Sequence, residues 1–319
     1  MHTISMILAY FLCNKGSWPE YIDWHLASCE ANDTVDFFIF TDDRSLSKWE
    51  NVKNIHFIYM SFEECVKLMK QKLGDVQIDT PYKMCDYKPA YGVIFEDYIS
   101  KYDFWGHYDC DLIYGNIRHY FTKEKLDNYD KLMILGHTSI YRNNDEAKHF
   151  YCLERPKDSK YKDYTWKKVS SSTEHFGYDE WSGVPQLVRE NGKKILWDRE
   201  SFVNTYEQKV YKKVFDKNVK FNKPFQVWHW KEGSLYHKDT FTGKERERFY
   251  IHLTQRKMKV KDYVGQKEVY ITQKSEIKDS LSFGDGFAGI EFVMLFGKKI
   301  FQWMIWKLTH LSGKKAWEM

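Results

Sequence analysis

The sequence lacks long apolar runs and a strong excess of either charge. No segment contains 18 consecutive apolar residues, so no transmembrane helix is predicted. Lysine and arginine together number 49 against 45 aspartate and glutamate residues, which leaves a net charge of +4. Because dedicated nucleic-acid-binding proteins usually carry a far larger basic excess, we expect no nucleic-acid partner.

Paired cysteines are also missing. The six cysteines, at positions 13, 29, 65, 85, 110 and 152, include no C-x-x-C pair, which disfavours a zinc knuckle. The first 16 residues contain an apolar run but neither a basic region before it nor a small-residue cleavage site. We therefore interpret this segment as a first strand and expect a cytoplasmic protein with reduced thiols.

Aromatic side chains are what the sequence has in abundance. Phe, Trp and Tyr make up 18% of the 319 residues, within a globular balance of 43% hydrophobic and 29% charged residues. Aromatic rings fill protein cores, but they also stack on sugar rings and nucleobases. The composition therefore indicates a folded protein, of about two domains by length, and hints at ligands of that kind.

The first half of the chain alternates strand and helix patterns. Buried strands are predicted at 4–12, 35–40, 54–59, 102–108 and 132–135, with helices at 17–30, 61–73 and 89–101. Two of these helices begin with a predicted capping box, at Ser17 and at Ser61. Strands that alternate with helices predict an α/β fold, in which helices cover both faces of a mostly parallel sheet.

Acidic side chains follow two of the predicted strands, at Asp42-Asp43 and at Asp109-Cys110-Asp111. Ligands of open α/β sheets bind beyond the carboxyl ends of the strands. Residues i and i+2 of an extended chain point to the same side, so Asp109 and Asp111 can converge on one hard divalent cation. A solvated acidic turn is the alternative interpretation, since a bare D-x-D is common by chance.

The residues around this D-x-D resemble a known class of enzymes. The block Trp105-Gly106-x-x-Asp109-x-Asp111-Leu-Ile-Tyr-Gly115, preceded by Lys88-Pro89-x-Tyr91-Gly92, resembles bacterial GT-A type glycosyltransferases of capsule and lipopolysaccharide loci. The plan is similar to that of glycosyltransferase families 8 and 32, over residues 4–257. The resemblance implies a GT-A fold, a Rossmann-like mixed sheet with helices on both faces. It also implies a hexosyltransferase that moves a sugar from a nucleotide-sugar, by family habit UDP-linked, to a surface-polysaccharide acceptor.

The resemblance also implies a cofactor site. Asp109 and Asp111 would hold Mn²⁺ or Mg²⁺, and His252, within Ile-His-Leu, would be the third metal ligand. A core histidine bonded to the backbone is the alternative for His252. The residues expected to bind the nucleotide-sugar are Tyr10, Asn14, Asp42, Lys88, Asp109 and Asp111. Asp42 can equally form a turn, and Lys88 can equally lie on the surface.

An acceptor pocket is predicted from two further aromatic segments. Asp179 and Glu180, next to Trp181, are the catalytic candidates: a general base in an inverting enzyme, or positioning groups in a retaining one. Their alternative role is to open the next helix and complement its dipole. Trp181, His229 and Trp230 would bind the acceptor by ring stacking, with core packing as the alternative for His229 and Trp230. His229 is also the competing candidate for the third metal ligand in place of His252.

The residues after 257 differ in character from the rest. Five lysines stand against two glutamates in a segment from Phe287 to Met319 that is rich in aromatic and aliphatic residues. We predict a GT-A catalytic domain at 1–257 and, at 258–319, a linker with a basic, aromatic-rich helical tail. The tail either lies at the inner membrane surface, where a lipid-linked glycan acceptor would be found, or packs on the main domain or another chain.

Three other functions explain part of the sequence. A haloacid-dehalogenase-like phosphatase or phosphotransferase also uses a D-x-D after a strand, but usually near the N-terminus and with Thr or Ser soon after it. A non-catalytic carbohydrate-binding protein would explain the aromatic residues but not a D-x-D at a strand end. A nuclease is disfavoured by the small net charge.

Overall fold

The computed structural model describes residues 1–13, 16–198, 203–206, 210–212, 226–255 and 257–282, together with Asp285 and Met304. Asn14 and almost all of the predicted tail lie outside these residues, so their roles stay predictions. No helix within the described ranges is long and apolar enough to cross a membrane.

The strands, in chain order, are β1 (Ile4–Ala9), β2 (Val35–Thr41), β3 (Ile55–Tyr59), β4 (Phe104–Tyr108), β5 (Leu112–Tyr114), β6 (Lys131–Leu135), β7 (Thr138–Arg142), β8 (Ile195–Leu196), β9 (Val203–Tyr206), β10 (Val210–Lys212), β11 (Gln226–Lys231), β12 (Ser234–Asp239), β13 (Glu245–Arg248), β14 (Tyr250–His252), β15 (Lys259–Val260), β16 (Glu268–Thr272) and β17 (Glu276–Lys278). The α-helices are α1 (Ile22–Glu30), α2 (Phe62–Leu73), α3 (Tyr91–Ile94), α4 (Glu96–Ile99), α5 (Ile117–Tyr120), α6 (Lys123–Asn128), α7 (Asp145–Lys148), α8 (Trp166–Ser170) and α9 (Val184–Glu190). Three 3₁₀ helices span Ser47–Trp49, Pro81–Ala90 and Phe150–Cys152.

The main sheet has the strand order β3-β2-β1-β4-β7-β6-β8. Strands β1 to β4 pair in parallel, as do β6 and β8, whereas β7 runs antiparallel to both β4 and β6. Successive side chains of β2, such as Phe37 and Phe38, belong to different apolar clusters because they point to opposite faces of the sheet. Helix α1 packs in the first cluster, and α2 and α9 pack in the second. The predicted α/β fold, with helices on both faces of a mixed sheet, is therefore confirmed.

The described structure also contains two smaller sheets. One has the order β13-β12-β11-β16-β17-β15, and its buried side chains pack with Tyr21 and Trp24 beside and within α1. The other has the order β10-β9-β14-β5. In it, β14 runs antiparallel to β5 and places His252 opposite Leu112. This pairing brings His252 beside the D-x-D that follows β4.

The capping box predicted at Ser17 is wrong. Helix α1 begins at Ile22, and no side chain caps its N-terminus. Trp18 instead stacks on Tyr10, with 4.6 Å between the ring centroids, and donates its indole N–H to Asp43 at 2.9 Å. These tertiary contacts hold the segment outside the helix.

The capping box predicted at Ser61 is confirmed. The Glu64 N–H donates to Ser61 Oγ at 3.1 Å, and the Ser61 N–H donates to the Glu64 carboxylate at 2.7 Å. Both N–H groups belong to the first turn, where no backbone acceptor is available to them. The local sequence was sufficient here because the two partners lie in one turn.

The helix predicted at 89–101 is broken. It is observed as two single turns, α3 and α4, preceded by the 3₁₀ helix Pro81–Ala90. Pro89 has no N–H to donate, which disfavours a regular α-helix through this point. A 3₁₀ helix has three residues per turn, so Tyr82, Cys85 and Lys88 lie on one face of it. All three line the cavity described below.

The residues after 257 do not begin as a linker. Strands β15, β16 and β17 complete the second sheet, and β16 pairs with β11 so that Val269 lies opposite Trp230. The division into a catalytic domain and a tail stays a prediction.

Candidate active site

A cavity of about 370 Å³ opens at the carboxyl ends of β1 and β4. This is the edge where ligands of open α/β sheets bind. Charged and polar side chains converge on it from five segments that are distant in the chain. They include Tyr10, Lys88, Asp109, Asp111, His175, Asp179, Glu180, His252 and Gln255.

Asp109, Asp111 and His252 form the core of the site. Each offers one ligand atom, and the three atoms all lie within 4.8 Å of one another. The pairing of β5 with β14 produces this arrangement, and the Leu253 N–H extends it by donating to the Asp111 carbonyl at 2.8 Å. Two carboxylate oxygens and an imidazole nitrogen are a donor set that fits Mn²⁺, or Mg²⁺ with fewer protein ligands.

Asp111 and His252 each stabilise the charged form of the other. Burial would raise the pKa of Asp111, but His252 and a hydrogen bond from the Gln255 N–H (2.8 Å) lower it overall. Burial would lower the pKa of His252, but the Asp111 carboxylate, 3.3 Å away, raises it overall. Thr254 and Gln255 have φ values of 53° and 51°, a left-handed conformation that costs energy in non-glycine residues. This strained turn aims the Gln255 N–H at Asp111.

Lys88 lies between two of the predicted carboxylates. Its Nζ donates to Asp109 Oδ1 at 2.6 Å, to Asp179 Oδ2 at 3.1 Å and to the Gly136 carbonyl at 3.0 Å. Burial would lower the pKa of Lys88, but the two carboxylates raise it well above its usual value. The side chain is only 7% exposed, so Lys88 is not the surface lysine of the alternative interpretation.

Asp179 and Glu180 differ in what surrounds them. Asp179 is buried and paired with Lys88, and burial raises its pKa despite that partner. Glu180 lines the cavity, and burial together with the Asp179 charge raises its pKa to about 7. Helix α9 begins four residues after Glu180, at Val184, with no acidic residue in its first turn. The alternative role of both carboxylates in opening that helix is therefore wrong.

The turn Gly136-His137 between β6 and β7 is a part of the site that the sequence analysis missed. The His137 carbonyl accepts from the Asp109 N–H at 3.0 Å, and the His137 ring stacks on that of His252, with 4.2 Å between centroids. The Tyr250 hydroxyl hydrogen-bonds His137 Nδ1 at 2.8 Å. The sequence did contain a signal for this turn, because it directly follows the predicted strand 132–135. The carboxyl end of that strand lies at the same edge of the sheet as the carboxyl end of β4.

Gly136 leaves no room for a side chain. A Cβ atom there would overlap the Asp179 carboxylate. We expect Gly136→Ala to push Asp179 away from Lys88 and to lower the free energy of unfolding by about 1–3 kcal/mol, as overpacking does. Urea denaturation measures the change. As a control, Gly136→Ala is also made in the Asp179→Ala variant, where it should lower the free energy of unfolding by less. An equal loss in both backgrounds would show that the added Cβ does not clash with Asp179.

Four predicted residues lie away from the cavity. Trp230 is buried, and its indole N–H donates to the Tyr114 carbonyl at 2.9 Å, so it packs in the core and is not an acceptor platform. His229 lies on the same strand and pairs with Glu268 at 2.6 Å. The core-packing alternative is therefore the correct one for Trp230, and His229 likewise belongs to the second sheet.

The other two are Trp181 and Asp42. Trp181 is 42% exposed and does not line the cavity. Asp42 accepts the backbone N–H groups of Leu12 and Cys13, at 2.7 and 3.2 Å. It therefore holds the chain after β1, a contact distant in sequence and different from the local turn that the alternative interpretation gave it.

Tyr10 does line the cavity, and it leads to a neighbouring hollow of about 330 Å³. Tyr10 and Trp18, which stack on each other, line this hollow together with Lys257. Burial and the thiol and carboxylates of residues 109–111 raise the pKa of Tyr10, so its hydroxyl stays protonated. The hollow therefore offers an aromatic surface and a cation beside the D-x-D.

Comparison with solved structures yields glycosyltransferases of low similarity. The galactosyltransferase LgtC, solved with donor and acceptor sugar analogues, is 11% identical, with 63% of this chain and 74% of that chain covered and a TM-score of 0.38. Mouse xyloside xylosyltransferase 1 is 8% identical over 64% and 87%, with a TM-score of 0.36. The glycosyltransferase GlyE of Streptococcus pneumoniae TIGR4 is 8% identical over 62% and 45%, with a TM-score of 0.32.

Comparison with sequences gives a family but no function. The chain matches none of the curated proteins. A family model described as a family of unknown function, DUF6625, matches residues 6–280, which is most of the chain. The protein therefore belongs to the family DUF6625.

Proposed function

We propose that this protein is a metal-dependent glycosyltransferase that moves a sugar from a nucleotide-sugar to a glycan acceptor. The observation that carries the proposal is the convergence of Asp109, Asp111 and His252 in one cavity with Lys88 and Glu180. A divalent cation and a second positive charge suit a diphosphate leaving group. A carboxylate with a pKa near neutrality suits the deprotonation of an acceptor hydroxyl.

Asp109, Asp111 and His252 would hold the metal ion. When bound, such an ion supplies positive charge that offsets the negative charge on a departing diphosphate. Lys88, fixed by Asp109, Asp179 and the Gly136 carbonyl, adds a buried cation that needs no reorganisation to act on the same charge. The hollow at Tyr10 and Trp18 is suited to stack the base of the nucleotide.

Glu180 is the better candidate for the general base of an inverting reaction. Its pKa of about 7 allows it to take a proton near neutral pH, and it lines the cavity. Asp179 is committed to Lys88 at 3.1 Å and would position the donor or the acceptor. In a retaining reaction one of the two carboxylates would only position the donor or the acceptor.

The finer assignments follow from the resemblance to capsule and lipopolysaccharide enzymes. They are Mn²⁺ as the ion, UDP as the nucleotide, and a lipid-linked surface-polysaccharide acceptor at the inner face of the cytoplasmic membrane. The haloacid-dehalogenase alternative is less well supported, because fully buried Leu112, Ile113 and Tyr114 follow the D-x-D. No hydroxyl of Ser or Thr is available there to bind a phosphate.

Thermal-shift screening against UDP, GDP and CDP, with and without Mn²⁺, tests the proposal. Ligand present at about 100 times its Kd should stabilise the protein by about 2.7 kcal/mol. We expect stabilisation by UDP only when Mn²⁺ is present, followed by metal-dependent hydrolysis of a UDP-sugar. Metal-independent sugar binding without turnover would instead support a carbohydrate-binding protein, and no response to any nucleotide would refute the proposal.

The pKa of Glu180 predicts how stability depends on pH. Its folded value of about 7 lies above the ordinary 4.5. Ionising Glu180 therefore costs more free energy in the folded protein than in the unfolded chain. The free energy of unfolding should be highest below about pH 4.5, where Glu180 is protonated in both states, and should fall as the pH rises through 7. Glu180→Gln, which cannot ionise, should equal the wild type near pH 4.5 and exceed it by about 1–3 kcal/mol at pH 8. Urea denaturation in metal-free buffer measures this, and a pH-independent difference would contradict it.

Deletion of the residues after 280 tests the predicted tail. If the tail lies at the membrane surface, the truncated protein should no longer sediment with anionic vesicles, while its transfer to a soluble acceptor is retained. Unchanged partition would show that the tail has another role, such as packing on the main domain or on another chain.

A further inference from the structure

We infer that Asp86 and Lys83 are positioning residues that fix the segment carrying Asp179 and Glu180 against the cavity. This segment, residues 174–180, is called the acid segment below. The positioning role rests on the proposed function, because it matters for catalysis only if the two carboxylates act on substrates. Neither Asp86 nor Lys83 lines the cavity.

Asp86 holds the backbone of the acid segment. Its carboxylate accepts the Phe176 N–H at 2.9 Å and the Tyr178 N–H at 2.9 Å. Asp86 is completely buried, and burial would raise its pKa, but His175, these N–H groups and Lys83 lower the pKa to about 2. The carboxylate is therefore ionised, and each of its hydrogen bonds is charge-assisted.

Lys83 completes the attachment. Its Nζ donates to Asp86 Oδ2 at 3.0 Å, to the Val169 carbonyl at 2.9 Å and to the Glu174 carbonyl at 2.5 Å. An ammonium group has three N–H donors, and all three are used. The acid segment is thus tied at Glu174, Phe176 and Tyr178 to one buried ion pair.

A buried ion pair of this kind is weak evidence for a role in stability. The cost of removing two charges from water often cancels their attraction, so apolar residues can do as well. What an ion pair with four hydrogen bonds to backbone groups does supply is a single backbone geometry. Here that geometry belongs to a segment without regular secondary structure, which has no helix or strand hydrogen bonds of its own.

The backbone position of the acid segment determines where the Asp179 carboxylate lies in the site. Asp179 follows the anchored Tyr178, and its carboxylate fits between Lys88 and Gly136 without spare room. Lys88 belongs to the same 3₁₀ helix as Lys83 and Asp86. This helix therefore holds the acid segment at two points. Asp86 binds the backbone N–H groups of Phe176 and Tyr178, and Lys88 binds the side chain of Asp179. A shift of the segment would move Asp179 and Glu180 relative to the metal ligands.

The test compares Asp86→Asn with the wild type in two measurements. Amide hydrogen exchange over residues 174–180 should become at least about 10-fold faster, because an amide replaces the ionised acceptor. The kcat for sugar transfer should fall by about 10- to 100-fold, the scale expected for a small misplacement of reacting groups. The KM for the donor and the affinity for Mn²⁺ should change less than about twofold, because Asp109, Asp111 and His252 are untouched.

Two further variants keep the test decisive. Lys83→Met, which keeps the Asp86 carboxylate and its bonds to the backbone, should give the same split between kcat and KM if Asp86→Asn does not fold. Lys148→Met removes another largely buried lysine, paired with Glu96 at 2.5 Å outside the cavity lining. This control should lose stability but keep the wild-type kcat.

The outcomes separate this inference from the proposed function. Unchanged exchange over the acid segment, or a kcat within twofold of the wild type, would overturn the positioning role. A parallel loss of kcat in Lys148→Met would also overturn it, because the effect would then be one of general stability. A wild type that binds no nucleotide and transfers no sugar would refute the proposed function, while the exchange measurement would still decide whether Asp86 anchors the segment.

Discussion

Asp111→Asn is expected to abolish metal-dependent transfer while the protein stays folded. Asp111 lies 3.3 Å from His252 and is 4% exposed, so its charge is largely shielded from water. Asparagine keeps the shape and one oxygen that can still accept from the Gln255 N–H, but it removes the negative charge that a divalent cation requires. Because metal charge stabilisation is worth several kcal/mol, we expect the rate to fall by at least about 1,000-fold.

Isothermal titration with Mn²⁺ and a UDP-sugar hydrolysis assay measure this effect. The matched control is Asp97→Asn, which removes a carboxylate that is 71% exposed and paired with Lys72 on the surface. The control should bind Mn²⁺ and turn over like the wild type. Normal Mn²⁺ affinity in Asp111→Asn would exclude the assignment of the metal site, whereas loss of metal binding in both variants would point to a non-specific electrostatic effect.

Lys88→Met is expected to have the largest effect on stability. It leaves the carboxylates of Asp109 and Asp179, now 2.6 and 3.1 Å from the Lys88 ammonium, without that counter-charge. Removing one partner of a buried charge pair typically costs about 3–5 kcal/mol. Lys72→Met, which breaks the surface pair with Asp97, should cost no more than about 1 kcal/mol. Urea denaturation at pH 8 without metal distinguishes the two.

The loss in Lys88→Met should depend on pH and on metal. Burial already raises the pKa of Asp179, and removal of Lys88 raises it further. The variant then gains stability by protonating Asp179, so its deficit should be largest at pH 8 and should shrink toward pH 4. Mn²⁺ should recover part of the deficit, since Asp109 would again face a cation. A deficit that is the same at both pH values would contradict the pairing of Lys88 with Asp179.

Local sequence pattern was sufficient where the forces are local. The runs that became β1 and β2 are mostly apolar because both faces of these strands are largely buried, and they were predicted within a few residues. The capping box at Ser61 joins groups of one helical turn. The D-x-D was found because its two aspartates and the apolar strand before it lie within a few consecutive residues, although Cys110 and Asp111 form a turn between β4 and β5 and are not extended.

Aromatic residues show where local pattern fails. Trp230 and Trp181 are both preceded in sequence by a mixture of polar and aromatic residues. Trp230 is buried because the second sheet packs on α1, where its ring meets that of Trp24 at 6.3 Å. Trp181 stays 42% exposed outside the cavity. An aromatic side chain gains free energy from burial against a core or against a sugar, so its identity alone does not distinguish the two.

The sequence by itself determined the class of fold and two of the three candidate metal ligands, because strand periodicity and the spacing of two aspartates are properties of a few consecutive residues. Only the tertiary structure decided that His252, Lys88 and Glu180 meet those aspartates, and that the turn at Gly136 lies among them. These groups come from distant segments, and the free energy that brings them together arises from strand pairing and core packing over the whole domain.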